Sequence, residues 1–264
     1  MSPTQSVCLI TGASAGLGAA LAREFARRGH ALVLTARREP ELAALADEIA
    51  AAGHARPAVI AADLAVPVGV ADLAKALAAR ALEPAIVVNN AGFGLLGEAA
   101  GLDRARQLAM IDLNIRALTA LSLHWLDGIK RAKGGILNVA SVASFLPGPG
   151  MAVYHATKAY VLSFSEALHA ELKSEGVRVC ALCPGPVETE FSARAGVPHG
   201  YFPGFMHRSP ERVAREGYEG FMAGHRVVVP GSHNRVMSVL PRLLPRALML
   251  AVGRRRWQRA GRGG

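Results

Sequence analysis

"SVCLITGASAGLGAALAREFARRGH", residues 6–30, is the stretch that decides the fold. Its first seven residues are an apolar run ending in glycine. From Leu17 the apolar positions take helical spacing, and Gly29 is a helix stop. Between them lies a turn carrying Gly12, Gly16 and Gly18. Glycine there permits a tight bend and close backbone approach. The helix that follows presents unpaired N–H groups and its positive dipole end to an anion. A pyrophosphate suits such a site.

Working outward, apolar runs alternate with helical patterns. "ALVLTAR", "RPAVIAADL", "PAIVVNNAG", "GGILNVAS" and "VRVCALCPG" read as five further strands, and "RVVVPG" as a last one. Helices fall around "EPELAALADEIAAAG", "VADLAKALAARAL", a long pattern from Arg104 to Arg131, and "VYHATKAYVLSFSEALHAELKSEG". Continuous rather than alternating apolar strands indicate a parallel sheet covered on both faces. The fold class is therefore α/β, a doubly wound, Rossmann-type sheet of about seven strands. One catalytic domain is expected over residues 1–230, with a substrate lid at about 191–225. Beyond Thr189 the pattern loosens, predicting at most short helices. A basic, apolar C-terminal extension covers 231–264.

The 264 residues are 51% hydrophobic and 19% charged, with a net charge of +10. From Arg226 onward there is no acid but nine arginines: Arg226, Arg235, Arg242, Arg246, Arg254, Arg255, Arg256, Arg259 and Arg262. The rest is nearly neutral, so the charge describes a tail and gives the core no nucleic-acid footprint. Three cysteines form no complete disulfide framework, and no secretory signal precedes the first strand, so a cytoplasmic protein is expected. Cys180 and Cys183 share a strand and should face opposite sides, unlike a redox pair. The histidines show no metal-ligand spacing, and no metal is expected.

The turn also contains G-x-S-x-G, the nucleophile elbow of a serine hydrolase, with Ser14 as nucleophile and His199, His207, His225 or His233 as base. Its place after the first strand argues against that reading, because an elbow belongs on a central strand. A non-catalytic dinucleotide-binding sensor is a further alternative. The second strand ends at "TARRE". Arg37 and Arg38 stand where an acid would select NAD, and paired guanidinium hydrogen bonds suit a 2′-phosphate. They predict NADP(H), with NAD(H) the alternative; two solvated surface arginines are the bland reading.

Arginine is the usual base of this chain, yet Lys158 sits four residues after Tyr154. On a helix the two share a face, roughly 5–6 Å apart at Cβ. Bringing a phenol from about 10 to near 7 takes about 4 kcal/mol. A cation about 4 Å away supplies that at an effective dielectric near 20, and only about 1 kcal/mol in water. The expectation is a partly desolvated pair in which Lys158 lowers the Tyr154 pKa. Ser141 closes the fifth strand, where open α/β sheets place ligands. "NNAG" (89–92) closes the fourth, and Asn114 interrupts the long helix.

In this order and spacing, "TGASAGLG", Asp63, "NNAG", Asn114, Ser141, Tyr154-x-x-x-Lys158 and "PGPVET" (184–189) resemble the short-chain dehydrogenases/reductases over about residues 5–190. The resemblance implies an NAD(P)-dependent enzyme that moves a hydride between coenzyme and a carbonyl or secondary alcohol. Tyr154 would be the general acid/base, and Lys158 would tune it and hold the nicotinamide ribose. Ser141 would orient the substrate oxygen, and Asn114 would position a relay water. Gly12, Ser14, Ala15, Gly16, Leu17 and Gly18 would cradle the coenzyme. Asp63 with Leu64 would meet the adenine, and Asn90, Ala91 and Gly92 its ribose. Pro184, Gly185, Val187 and Thr189 would wrap the nicotinamide.

Ala15 departs from many NADP-using members, which carry a base there, so Arg37 and Arg38 alone carry the preference. The family's oligomeric habit implies a homodimer or homotetramer, although the long tail departs from compact members. Phe191, Tyr201, Phe202, Phe205, Met206, Phe221 and Met222 in the lid suggest a lipophilic substrate, or ordinary lid packing. The tail, interrupted by Pro241, Arg242, Pro245 and Arg246, is not expected to span a membrane. It is read first as a packing arm. The alternative is peripheral contact with an anionic membrane through Trp257 and the arginines.

Overall fold

A computed structural model describes residues 4–198, 201, 202 and 204–260. His199 and Arg262 lie outside the described residues, as do the side chains of Phe205, Arg242, Arg256, Trp257 and Arg259. The strands are β1 (Gln5–Thr11), β2 (Leu32–Ala36), β3 (Ala58–Ala61), β4 (Leu82–Asn89), β5 (Gly135–Val139), β6 (Arg178–Leu182) and β7 (Val227–Val228). The helices before β6 are α1 (Gly16–Arg27), α2 (Glu39–Ala51), α3 (Gly69–Ala79), α4 (Arg104–Ile111), α5 (Leu118–His124), α6 (Leu126–Arg131) and α7 (Ala152–Leu172). After it come α8 (Glu190–Arg194), α9 (Pro210–Met222), α10 (Ser232–Leu243) and α11 (Arg246–Ala260).

All seven strands are parallel, in the order β3-β2-β1-β4-β5-β6-β7. The order reverses between β1 and β4. That leaves a crevice at the carboxyl ends of the strands, where such sheets bind ligands. Both faces of the sheet are dry, which is why the strands read as continuous apolar runs. Cys8, Ile10, Val88 and Leu137 point to a core shared with Phe25 of α1 and Leu42 of α2. Val7, Leu9, Val87 and Ile136 point to a second core under Leu73, Leu121 and Leu168. Cys180 and Cys183 do fall in different clusters, and all three cysteines are free and buried.

Two expectations need correction. The region after Thr189 holds more than short helices. Ser209 caps α9 by accepting a hydrogen bond from the Arg212 N–H at 3.3 Å, and Pro210 opens its first turn. Val213, Ala214, Tyr218 and Phe221 of α9 join the first core, with Tyr218 edge-on to Phe25 at 4.8 Å. Phe221 is therefore a core residue and not part of a lid, and Met222 is exposed. The glycines that blur the pattern are structural. A Cβ on Gly217 would lie 2.8 Å from Leu182, and one on Gly220 2.3 Å from Val228. The long helix is also not continuous. It widens to a π-helical turn at Asp112–Ala117, around the predicted interruption at Asn114, and breaks again at Trp125.

Candidate active site

The glycine turn is built by close approach. Gly12 has φ +66°, and a Cβ there would meet Ala91 Cα and the Asn90 amide at 2.9 Å. A Cβ on Gly18 would sit 2.1 Å from the Gly12 carbonyl oxygen, so only glycine lets α1 start against the turn. Thr11 and Asn90 lock this arrangement. The Thr11 hydroxyl donates to the Val88 carbonyl and accepts from the N–H groups of Asn90 and Ala91. Asn90 Nδ2 donates to the carbonyls of Thr11 (2.9 Å) and Gly12 (3.2 Å). Its side-chain N–H groups tie β1 to β4.

The cradle fits a dinucleotide pyrophosphate. Ala15 occupies the N-cap of α1 without a side-chain cap, leaving the first-turn N–H groups to an anion. Gly16 abuts Thr189, 3.0 Å from a would-be Cβ. Arg38 reaches across from the end of β2, its Nη2 donating to Ser14 Oγ at 3.2 Å. It also pairs with Glu41 at 3.1 Å. Arg37 is exposed. Ser14 thus faces a guanidinium rather than a histidine, which removes the geometric basis for a hydrolase. Asp63 is exposed and accepts from the Ala65 N–H at 3.0 Å. Leu64 is buried in the second core, so its side chain is structural. Leu17 packs on the first core, as does Val187. The Pro184 carbonyl accepts from the Val142 N–H at 2.9 Å. Gly185 lies against Asn234 of α10, 2.5 Å from a would-be Cβ.

The four predicted catalytic residues converge at the carboxyl ends of β4 and β5. Tyr154 and Lys158 lie one turn apart on α7, and both are buried. The Lys158 ammonium donates to the Val139 carbonyl at 2.7 Å and stands 5.9 Å from the Tyr154 ring centroid. Ser141 hydrogen-bonds to the phenol, and its Oγ accepts from the Ala143 N–H at 3.1 Å. Asn114 and Lys158 flank Gly92, whose would-be Cβ lies 2.9 Å from Asn114 Oδ1 and 3.6 Å from Lys158 Nζ. Asn114 accepts from the Phe93 N–H at 3.1 Å and donates to the Phe93 carbonyl at 3.0 Å. It also donates to Thr157 Oγ1 at 3.1 Å, and Thr157 donates to the Tyr154 carbonyl at 2.8 Å.

Burial is the largest influence on both members of the pair. Burial pushes the Tyr154 phenol up to about 12, while the hydrogen bond from Ser141 pulls it down. Burial brings Lys158 itself down to about 8, with the nearby Cys183 thiol opposing, and its ammonium is held by a carbonyl. Removal from water disfavours the charged form of each group.

Sequence reading missed Thr11, Thr157 and a buried polar ladder. Asn89 donates to Ser122 (3.0 Å) and to Asn138 (2.8 Å), and Asn138 donates to Ser165 (2.9 Å). The ladder pins α5 and α7 to the sheet beneath the site. An asparagine inside each of two apolar strands was its only signal. Tyr154 also sits in an apolar cluster with Leu95, Met110, Ala143 and Met151. Phe191 lies 5.6 Å from its ring.

Comparison with known proteins agrees with this geometry. A family profile described as short chain dehydrogenase matches residues 6–197. Sulfoacetaldehyde reductase 2 of Chromohalobacter salexigens is 38% identical over 189 residues, covering 70% of this chain and 74% of that one. A short-chain dehydrogenase from Sphingobium yanoikuyae, solved in complex with NADPH, superposes with a TM-score of 0.81 at 33% identity, covering 93% and 95% of the two chains. The bulky-bulky ketone specific alcohol dehydrogenase from Comamonas testosteroni superposes at 0.75 with 31% identity, covering 87% and 88%. A glycine cradle, a buried tyrosine–lysine pair and these likenesses have one explanation: the chain belongs to the short-chain dehydrogenase/reductase family, NAD(P)-dependent enzymes acting on CH–OH groups.

Proposed function

We propose that the protein reduces a neutral, lipophilic ketone or aldehyde with NADPH, Tyr154 giving the proton to the carbonyl oxygen. The observation that carries this is the phenol's setting. It is walled by Leu95, Met110, Met151 and Phe191, and it keeps its proton throughout the neutral range. A protonated phenol is an acid ready for reduction, whereas oxidation needs the phenolate. Ser141, already hydrogen-bonded to the phenol, orients the substrate oxygen. NADPH supplies the hydride when bound. Arg38, with Arg37 beside it on the surface, supports NADPH over NADH, because the Arg38 guanidinium already borders the glycine cradle.

The named relative acts on a sulfonated aldehyde. The apolar side chains of Leu95, Met110, Met151 and Phe191 beside Tyr154 support a neutral substrate instead. Exposed Leu108, Ile111, Leu123 and Tyr160 on α4, the π-helical turn's flank, α5 and α7 support self-association as a homodimer or homotetramer. Three free, buried cysteines suit a reducing cytoplasm.

The test is NADPH oxidation over a panel of alkyl ketones, cyclic ketones and anionic aldehydes, run with the parent and Tyr154→Phe. Bulky neutral ketones should give the highest kcat/KM, and the variant should lose turnover by about 10²–10⁴ while keeping coenzyme affinity. A preference for anionic aldehydes would overturn the substrate reading. A fully active variant would overturn the mechanism.

A further inference from the structure

The helix α10 is built inside out. Its inward face carries Asn234, 2% exposed, and Ser238, 7% exposed, with Asn234 Nδ2 donating to the Pro230 carbonyl at 2.8 Å. Its outward face carries Val236 at 64% exposure and Val239 at 51%, with Leu240 beside them. A helix that packed on its own domain would turn these faces the other way. The following helix α11 also leaves apolar side chains outward. Gly253 faces Pro149 of the loop after Ser141, 3.0 Å from a would-be Cβ, while Leu248 and Val252 face outward with Arg254 and Arg255 exposed near them.

We propose that α10 and α11 form a docking face for an anionic lipid bilayer, lying on its surface beside the active-site mouth. Charge selects this occupant. From Arg226 to the end the chain has nine arginines and no acid. One of these, Arg226, is paired with Glu166 at 3.0 Å. Outward Val236, Val239, Leu248 and Val252, with exposed Arg235, Arg246, Arg254 and Arg255, match the apolar and cationic halves of an interfacial helix. A second copy docked through the same face would set arginines against arginines, which costs several kcal/mol. Self-association has another apolar surface on α4, α5 and α7. Among the described residues no helix is long and apolar enough to cross a membrane, so the contact is peripheral. The face adjoins the segments around Gly185 and Pro149, which places a bilayer next to the pocket.

The experiment is sedimentation of the full chain with vesicles of phosphatidylcholine alone or with phosphatidylglycerol, at low and high salt. The parent should pellet with anionic vesicles at low salt, and stay in solution with neutral vesicles. Replacing Val236, Val239 and Leu240 together by serine should abolish pelleting. The Arg254→Gln/Arg255→Gln variant should weaken it about 25-fold, at about fivefold per arginine near the surface. All variants should keep parental NADPH oxidation with a water-soluble ketone, which reports an intact fold without depending on lipid. Absence of pelleting with anionic vesicles overturns the proposal, as does pelleting that the serine variant leaves unchanged. A serine variant with reduced oligomeric mass and unchanged vesicle behaviour assigns the face to a second copy instead.

Discussion

Replacing Lys158 by methionine removes a buried ammonium while keeping an unbranched side chain in its place. Burial holds the Lys158 pKa down to about 8, from an ordinary value of 10.5. Between those values the unfolded chain binds a proton that the folded protein does not. Parental stability therefore rises with pH across that window. At about 1.36 kcal/mol per pH unit, the rise approaches 3 kcal/mol. Below pH 8 the folded protein bears the whole cost. Methionine carries no such cost, but it leaves the Val139 carbonyl without its donor, a loss of about 1–3 kcal/mol. At pH 7 the variant should match the parent or exceed it by up to about 2 kcal/mol. By pH 10 the order should reverse. Urea unfolding of both proteins without coenzyme, at half-unit steps from pH 7 to 10, measures this. Titrations common to both cancel in the difference. Parallel curves, with a gap changing by less than about 1 kcal/mol, would refute the claim that burial dominates at Lys158.

Arg38→Ala should raise the KM for NADPH at least tenfold and leave that for NADH within about twofold, since a charge-assisted hydrogen bond is worth about 1.5–3 kcal/mol; steady-state kinetics with both coenzymes checks it. Gly18→Ala should abolish coenzyme binding in calorimetry, because the new methyl would overlap the Gly12 carbonyl at 2.1 Å. Thr157→Val removes the acceptor for Asn114 and the donor to the Tyr154 carbonyl. It should lower kcat about tenfold and leave the NADPH KM unchanged, separating a positioning residue from a merely structural one.

Strand and helix order was legible because both sheet faces are dry, so every strand left a continuous apolar signature. The convergence of Ser141, Tyr154 and Lys158 was legible because they sit at a sheet end and on one helix face, where spacing alone fixes geometry. Helix α9 was not. Gly217 and Gly220, which let it approach Leu182 and Val228, dilute the pattern by which a helix is recognised. Nor was the sense of α10, because periodicity shows that a helix has an apolar face without showing which way it turns. Nor was the structural work of Asn90, whose Nδ2 donates to the carbonyls of Thr11 and Gly12. No spacing rule separates a polar residue that binds a ligand from one that holds the loop beside it.

The burial of Tyr154 bears on the direction of catalysis. Had Lys158 brought the phenol near neutrality, Tyr154 would be equally suited to give or take a proton at pH 7. With the phenol near 12, the phenolate that can take one is scarce there, by roughly 1.36 kcal/mol for each pH unit of the gap, whereas the phenol that can give one is fully populated. The same burial that disfavours a phenolate also disfavours the Lys158 ammonium, which the Val139 carbonyl holds. A proton leaving Tyr154 therefore creates an anion near a cation short of solvation, and each relieves the other as the transfer proceeds. The attraction that is too weak to ionise the resting phenol grows during the transition state, which is where it lowers a barrier. On this reasoning Lys158 acts by stabilising charge that develops on Tyr154. Lys158→Met should then cut reductive kcat by more than tenfold while the Tyr154 phenol, followed by its ultraviolet difference spectrum, still titrates well above pH 10. A methionine variant whose phenol titrates higher still, with kcat intact, would restore the view that Lys158 tunes the ground state.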